Sequence, residues 1–351
     1  MTRAPKPASA PYVPNNPLHY LMRTSDAERK RWGARAVELG FPEGQLYTDP
    51  RIDALMPWRN VVAEEMRQEG LWTPVGQALV AQVVEATHLP VCPSSVRAVP
   101  NDILRSALFA AIQGKTRRFM KSEVIASFEG VEIKFKGEQL DQADMDVWEQ
   151  AIHLAKDQPI GNVCRFRVND FLKQIGRHNG KYEYEWLQES FDRLIACMVK
   201  ITTDKFVFKG NLLSSCIEDV DTGEYKLTLN SDTLTLYGNN NWTGIEWEQR
   251  QALMRKPLAL WLHGYYASHA APYLVKVETL RRLCGSENKT IKSFRVQARK
   301  ALDDLKDCGA IASWNIDPKS DLVTVDRGEA VTESQARHLI KKQIQPPKSN
   351  K

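Results

Sequence analysis

The stretch Val277-Glu-Thr-Leu-Arg-Arg-Leu-Cys-Gly-Ser-Glu-Asn-Lys-Thr-Ile-Lys-Ser-Phe-Arg-Val-Gln-Ala-Arg-Lys-Ala-Leu-Asp-Asp-Leu-Lys306 decides the fold. Wound at helical pitch, Ile291, Phe294, Ala298, Ala301, Leu302 and Leu305 fall within about 100° of arc, enough to form a core-facing stripe. Lys289, Lys292, Arg295 and Arg299 gather within roughly 120° on the other side, with Val296 beside them. Upstream, Val277–Gly285 reads as a short helix closed by a glycine turn. A short helix, a turn and a long helix with a basic outer face follow the order of a helix-turn-helix whose second helix enters DNA. An ordinary solvated amphipathic helix would show the same charge pattern, so the surroundings must decide.

Outward from this stretch, the strand-like run Pro272–Lys276 precedes it. Two further runs, Ala310–Ile316 and Leu322–Asp326, follow it around an Asp-Pro-Lys-Ser-Asp turn. The same order occurs earlier. Cys164–Val168 reads as a strand, Asn169 as the cap of a short helix to Ile175, Gly176–Gly180 as a turn, and Lys181–Val199 as a long helix. Strand-like runs Lys200–Phe208, Leu212–Val220 and Tyr225–Asn230 come next, with Asp221-Thr-Gly223 as a hairpin turn. Helix-turn-helix plus hairpin is a winged helix. The expected fold is therefore α+β, with tandem winged-helix domains at 96–240 and 241–328.

Ahead of them, residues 1–95 form an expected arm, flexible and partly helical (Ser25–Leu39, Arg59–Gly70, Pro74–Thr87), with four prolines in its first 14 positions. A basic tail, 329–351, ends the chain. Within 96–240, Val124–Phe135 reads as a hairpin turning at Glu129-Gly130, and Gln142–Lys156 as an amphipathic helix. In the later block Ile245–His269 reads as one helix containing Pro257.

Charge points to an anionic partner. Between Lys276 and Lys300 there are eight Lys or Arg against two acids, a local excess larger than the whole chain's net +5. The first long helix is different, since Tyr182, Trp186 and Arg193 share its outer face with Glu185, Glu189 and Asp192. Carboxylates oppose phosphate binding, so that unit is either a weaker DNA reader or in part a protein-contact surface.

The six cysteines contain no C-x-x-C pair, which argues against a zinc ribbon. Gly114-Lys115-Thr116 lacks the glycine of a P-loop five positions earlier, where Phe109 stands, and Lys115, Arg117 and Arg118 read as a basic loop able to touch phosphate. His263 and His269 lack metal-pair spacing. Tyr265-Tyr266 reads as aromatic packing, and Asp303-Asp304 with Asp307 as solvated surface. No metal or cofactor is expected, and the chain is read as a binding protein rather than an enzyme. No secretory leader or membrane-spanning run is apparent, and the expected location is the bacterial cytoplasm.

Five groups of residues together resemble the TrfA-type plasmid replication initiators. They are Val99-Pro-Asn-Asp-Ile-Leu-Arg-Ser-Ala-Leu-Phe109, Pro159-Ile-Gly161, Asn179-Gly-Lys-Tyr182, Ser268-His269 with Pro272-Tyr273, and Glu278-Thr-Leu-Arg281 with Leu283-Cys-Gly-Ser286. The resemblance runs from about Val96 to Arg327. It implies tandem winged helices that bind direct repeats (iterons) at a plasmid origin. It also implies help in melting an adjacent A+T-rich segment, with single-stranded origin DNA as a further ligand. Host helicase and initiator proteins are implied as partners, together with homodimers in copy control. A sliding-clamp peptide known in the family is not matched here, where the linker reads His88-Leu-Pro-Val-Cys-Pro-Ser-Ser95.

The expected DNA contacts are Lys289, Thr290, Lys292, Ser293, Arg295, Val296 and Arg299, with Arg281 in the preceding helix. Lys181, Tyr182, Trp186 and Arg193 are the expected contacts of the first unit, and Lys205 and Lys209 those of its wing. A transcriptional regulator binding an operator is the alternative.

Overall fold

Alternation and capping set the elements of the computed structural model, which describes residues 94–328 except 115–116, 129 and 156–162. The N-terminal arm (all but its last two residues), the basic tail, Lys115, Pro159-Ile-Gly161 and Glu129 lie outside the described residues. Everything described falls within the compact unit beginning at His88.

Strand β1 (Val96–Pro100) leads into a one-turn helix, α1 (Asn101–Leu104), and then β2 (Phe109–Ala110). β3 (Phe119–Ile125) and β4 (Glu132–Glu138) pair as the expected hairpin, and β5 (Leu140–Asp141) enters α2 (Gln142–Ala155). The first strand–helix–turn–helix series is β6 (Val163–Arg167), α3 (Val168–Gln174) and α4 (Lys181–Ala196). Four strands follow: β7 (Met198–Thr202), β8 (Val207–Gly210), β9 (Leu213–Asp219) and β10 (Glu224–Leu229). After a 3-10 turn (Ser231–Asn240) come β11 (Trp242–Glu246), α5 (Trp247–Ala252) and α6 (Pro257–Ala267). The second series is β12 (Val275–Lys276), α7 (Val277–Leu283), α8 (Ile291–Asp307), β13 (Ser313–Ile316) and β14 (Leu322–Asp326).

The two series have the same sheet order. β6-β10-β9 and β12-β14-β13 both place the strand before the helix pair against the last strand of the hairpin. Both inter-helix turns open on a glycine in the left-handed region, Gly176 at φ 75° and Gly285 at φ 64°. At Gly285 a β-carbon would also lie 3.0–3.1 Å from the methyls of Ala110 and Ala107.

Several sequence expectations are corrected. Lys200–Phe208 is not one strand but a hairpin, β7 and β8, folded at Thr203. It joins β3 and β4 in a separate four-stranded sheet, β3-β4-β7-β8. The long helix stops at Ala196 rather than Val199 because Cys197 is already extended. Asn169 does not cap; it lies inside α3, whose N-cap is Arg167. Ile245–His269 is broken into strand, helix and helix, and Pro257, which has no N–H to donate, opens the last of them. The buried apolar residues form two clusters, one running to Trp247 and the other from Leu253 to Val325, and β11 pairs along its length with β1.

Helix α2 joins the parts. Asp144 is fully buried and accepts hydrogen bonds from Ser190 Oγ at 2.7 Å, Arg193 Nη2 at 2.9 Å, Arg117 Nη1 at 3.0 Å and the Asp141 amide at 3.1 Å. This takes inward one expected DNA contact, Arg193, and one residue of the expected basic loop, Arg117. Arg193, 7% exposed, faces inward onto Asp144, and Arg117 is spent on Asp141 and Asp144. Arg118, from the same expected basic loop, pairs with Glu123 at 2.8 Å. Further along α2, Asp146 (2.6 Å) and Glu149 (3.4 Å) hold the buried Arg250 of α5.

Removing a carboxylate that neutralises two buried guanidiniums costs about 3–5 kcal/mol. Asp144→Ala is expected to lose that much in urea denaturation, and a loss under about 1 kcal/mol would contradict the assignment.

Burial also sets the pH response. It holds His263 and His269 neutral, pushed down to about 3 and about 4 from 6.5. The unfolded chain takes up protons there that the folded chain refuses, so stability falls as pH drops from 6.5 toward 4. Glu149 has the opposite sign. Burial pushes it up to about 7 from 4.5, so the proton it keeps contributes stability that is lost as pH rises through 7. Glu149→Gln is therefore expected to narrow the drop in Tm between pH 6 and pH 8, and an unchanged drop would refute this.

Candidate nucleic-acid interface

Helix α8 is the centre of the candidate surface. Its inner stripe is the expected one, since Phe294, Ala298, Leu302 and Leu305 are buried at 0% exposure and Ala301 nearly so. With that stripe locked, the opposite arc must face outward. Lys289, Thr290, Lys292, Ser293, Val296 and Arg299 are all exposed, Val296 at 63%. Charge changes along the helix. The turns up to Lys300 are basic, whereas Asp303, Asp304 and Asp307 close it. Two of those acids are occupied, Asp303 by the Trp314 indole and Asp304 by Lys256. The N-terminal half is thus the half suited to a polyanion.

Local hydrogen bonds fix how that half starts. Thr290 and Lys289 lie just outside the helix, and Thr290 is its N-cap, accepting from the Ser293 amide at 3.1 Å. Asn288 ties the turn to the helix, accepting from Ser293 Oγ at 3.0 Å and donating to Gln297 Oε1 at 2.9 Å. Arg281 holds the same turn through the Asn288 carbonyl (3.1 Å) and pairs with Glu278 (3.1 Å), so it supports the surface more than it forms it.

Arg295 is also committed. Its guanidinium makes two bonds to Asp321, Nε at 2.8 Å and Nη2 at 2.9 Å, and that pairing holds the Asp321 carboxyl below the usual range. Arg295 thereby links α8 to the β13–β14 turn, where Asp321 sits at φ 58°. The freely exposed basic set is Lys289, Lys292, Arg299 and Lys300. Lys300 was missed by sequence reasoning, although a helical wheel drawn through Lys289 and Ser293 includes it. Lys289, Ser293 and Lys300 also line an open cleft against Arg255 and Pro257 at the start of α6.

In the first unit the sequence-expected residues separate. Lys181 and Tyr182 are exposed at the start of α4, Tyr182 at 61%. Trp186 is half-buried, with the Arg177 guanidinium 3.3 Å over its ring and Arg177 in turn paired with Glu183. Lys205 and Lys209 are exposed, but on the β7–β8 hairpin of the four-stranded sheet. The hairpin that corresponds to β13–β14 in sheet order is β9–β10, and neither lysine lies on it. Of the chemical alternatives, Tyr265 and Tyr266 are buried packing residues, with the Tyr265 ring stacked on Trp261. Cys164, Cys197 and Cys284 are buried free thiols, pushed up by burial to about 12, 11 and 12. Among the described residues no group of His, Cys, Asp and Glu could hold a metal ion, and no helix is long and apolar enough to cross a membrane.

Two strand–helix–turn–helix–hairpin units, one with a basic exposed helix, define a candidate duplex-binding protein. The chain belongs to the TrfA protein family, whose model matches residues 61–327. It is 27% identical over 265 residues to the plasmid replication initiator protein TrfA of Escherichia coli, a match covering 70% of this chain and 66% of that protein. Among solved structures, domains 2 and 3 of RctB overlap 65% of this chain and 98% of theirs at 12% identity and a TM-score of 0.43. The Pi initiator in complex with iteron DNA overlaps 67% of this chain and 99% of its own, also at 12% identity and a TM-score of 0.43.

Removing the cap tests the local geometry. Thr290→Ala is expected to cost about 1 kcal/mol in thermal unfolding and Thr290→Ser almost nothing. Equal losses for both would show that the hydroxyl does not cap α8.

Proposed function

We propose that this chain is a plasmid replication initiator that binds directly repeated sites (iterons) at the origin. In this reading it assists melting of an adjacent A+T-rich region and recruits host helicase and initiator proteins in the bacterial cytoplasm. It acts by binding rather than as an enzyme, and homodimers limit copy number. Each repeated unit is a winged helix, with α4 and α8 as the second helices of their helix-turn-helix pairs.

The observation that carries the reading is the exposed basic arc of α8 above a buried apolar stripe, in a chain whose family includes a curated plasmid replication initiator. Lys289, Lys292, Arg299 and Lys300 meet phosphates and set register. Thr290, Ser293 and Val296 lie where base edges and thymine methyls would be reached. Arg295 positions the wing through Asp321, and the second unit supplies most of the affinity.

Footprinting on the plasmid's own origin, with permanganate probing of unpaired thymines, tests the whole. Tandem direct-repeat footprints beside reactive thymines are expected, whereas one two-fold footprint on intact duplex would favour the operator-binding alternative. Within the interface, Lys292→Ala is expected to weaken specific and scrambled duplexes alike and to lower the salt slope by about 0.9. Val296→Ala is expected to lose preference for the specific duplex by about tenfold, within the range of a lost base contact. Unchanged binding by both variants removes α8 from the interface.

A further inference from the structure

Two surfaces of the first unit are left unmatched by duplex binding. One is the outer face of the β3-β4-β7-β8 sheet. Register puts Val124, Lys134, Lys200 and Lys209 in one row across all four strands, and Lys121, Lys136 and Met198 in the next. Like charges directly opposite one another on a sheet are destabilising. Among the described residues only Lys134 of these five lysines has a carboxylate partner, Glu132 at 3.3 Å, and that pair is half exposed. Apolar side chains stand between the lysines: Phe119, Val124 and Val207 are about 60% exposed and Met198 is 42% exposed.

The other surface is the β9–β10 hairpin. From Gly210 to Tyr225 the chain has four acids and no Lys or Arg. Residues 217–224 are all exposed, with Ile217 at 55% and Val220 at 89%. Glu224 is paired with the exposed Arg165 of β6 at 3.5 Å, whereas among the described residues no ion pair holds Glu218, Asp219 or Asp221. A hairpin tip with that excess of acid is repelled by phosphate and does not track a DNA backbone as a basic wing would.

We propose that the acidic, apolar tip of the β9–β10 hairpin of one copy docks on the lysine-rich, apolar face of the β3-β4-β7-β8 sheet of the next copy. The two surfaces are opposite in charge, and each carries uncovered aliphatic side chains. Their exposure shows that they do not cover each other within one chain. The sheet favours a protein hairpin over single-stranded nucleic acid, because it offers one aromatic side chain, Phe119 at the edge, where a stacking platform needs several. Contact between two different patches is head-to-tail and propagates in one direction. Directly repeated sites present successive copies in one orientation, so the inference rests on the iteron reading above. A patch this small would be weak in solution and would act once neighbouring repeats raise the local concentration.

The test measures binding of the full chain to duplexes carrying one or two copies of the footprinted repeat. Wild type is expected to fill the second repeat at least about tenfold more tightly than the first. Lys134→Glu with Lys200→Glu, and separately Asp221→Lys with Glu224→Lys, are each expected to abolish that gain. Both are expected to leave single-repeat affinity and melting temperature unchanged. All four substitutions in one chain reverse both faces of every contact and are expected to restore cooperativity.

A non-cooperative quadruple variant with wild-type melting overturns the proposal. So does loss of single-repeat affinity in either double variant. Loss of binding to a single-stranded oligonucleotide in the sheet variant, with cooperativity intact in the wing variant, would assign the sheet to nucleic acid instead. Failure of wild type to prefer even a single repeat would sink the iteron reading, a result distinct from all of these.

Discussion

The buried carboxylates of α2 hold the molecule in register. Asp144 fixes α4 through Ser190 and Arg193, and Arg117 ties the segment before β3 to the same carboxylate. Asp146 and Glu149 draw in Arg250, which also reaches the Gln142 carbonyl and side chain and so binds α5 to α2. Such groups are costly to bury singly and tolerable only together, which makes their geometry demanding. α2 thus acts as a spine between the two cores, and the orientation of α4 follows from it.

The same economy of charge explains the asymmetry of the two units. In the second, the buried side of α8 is wholly apolar and its cations are left outside, where a polyanion can reach them. In the first, Arg193 is turned inward, Trp186 lies beneath Arg177, and the β9–β10 hairpin is acidic. Two units of one topology therefore present different chemistry: one offers a basic helix, the other an acidic hairpin and a lysine-bearing sheet. Arg295 shows the principle on a smaller scale, since pairing with Asp321 turns it from a surface cation into a strut between helix and hairpin.

Much of the candidate site could be read from periodicity. The stripe from Phe294 to Leu305 and the exposed arc through Lys292, Val296 and Arg299 follow from 3.6 residues per turn alone, because the apolar side has only one place to go. Gly285 and the Asp317–Asp321 turn were legible for the same local reason. Arg193 and Arg295 were not. Each sits on the polar side of its helix by periodicity, and each is claimed by an aspartate from a distant part of the chain. Lys205 and Lys209 were misplaced because a run of strand formers does not say which sheet it joins. That choice is made by pairing with β4, more than sixty residues away in sequence.

What the sequence determined by itself was local: two strand–helix–turn–helix–hairpin series, a basic helix among them, and the residues that carry the family resemblance. Periodicity, caps and turn residues act over one or two turns of chain, so they can be read without coordinates. The tertiary structure alone decided which charges are spent internally, which sheet each hairpin joins, and how the buried side chains cluster. Those outcomes depend on pairings between segments far apart in the chain, and no local pattern encodes the partner of a buried arginine or the neighbour of a strand.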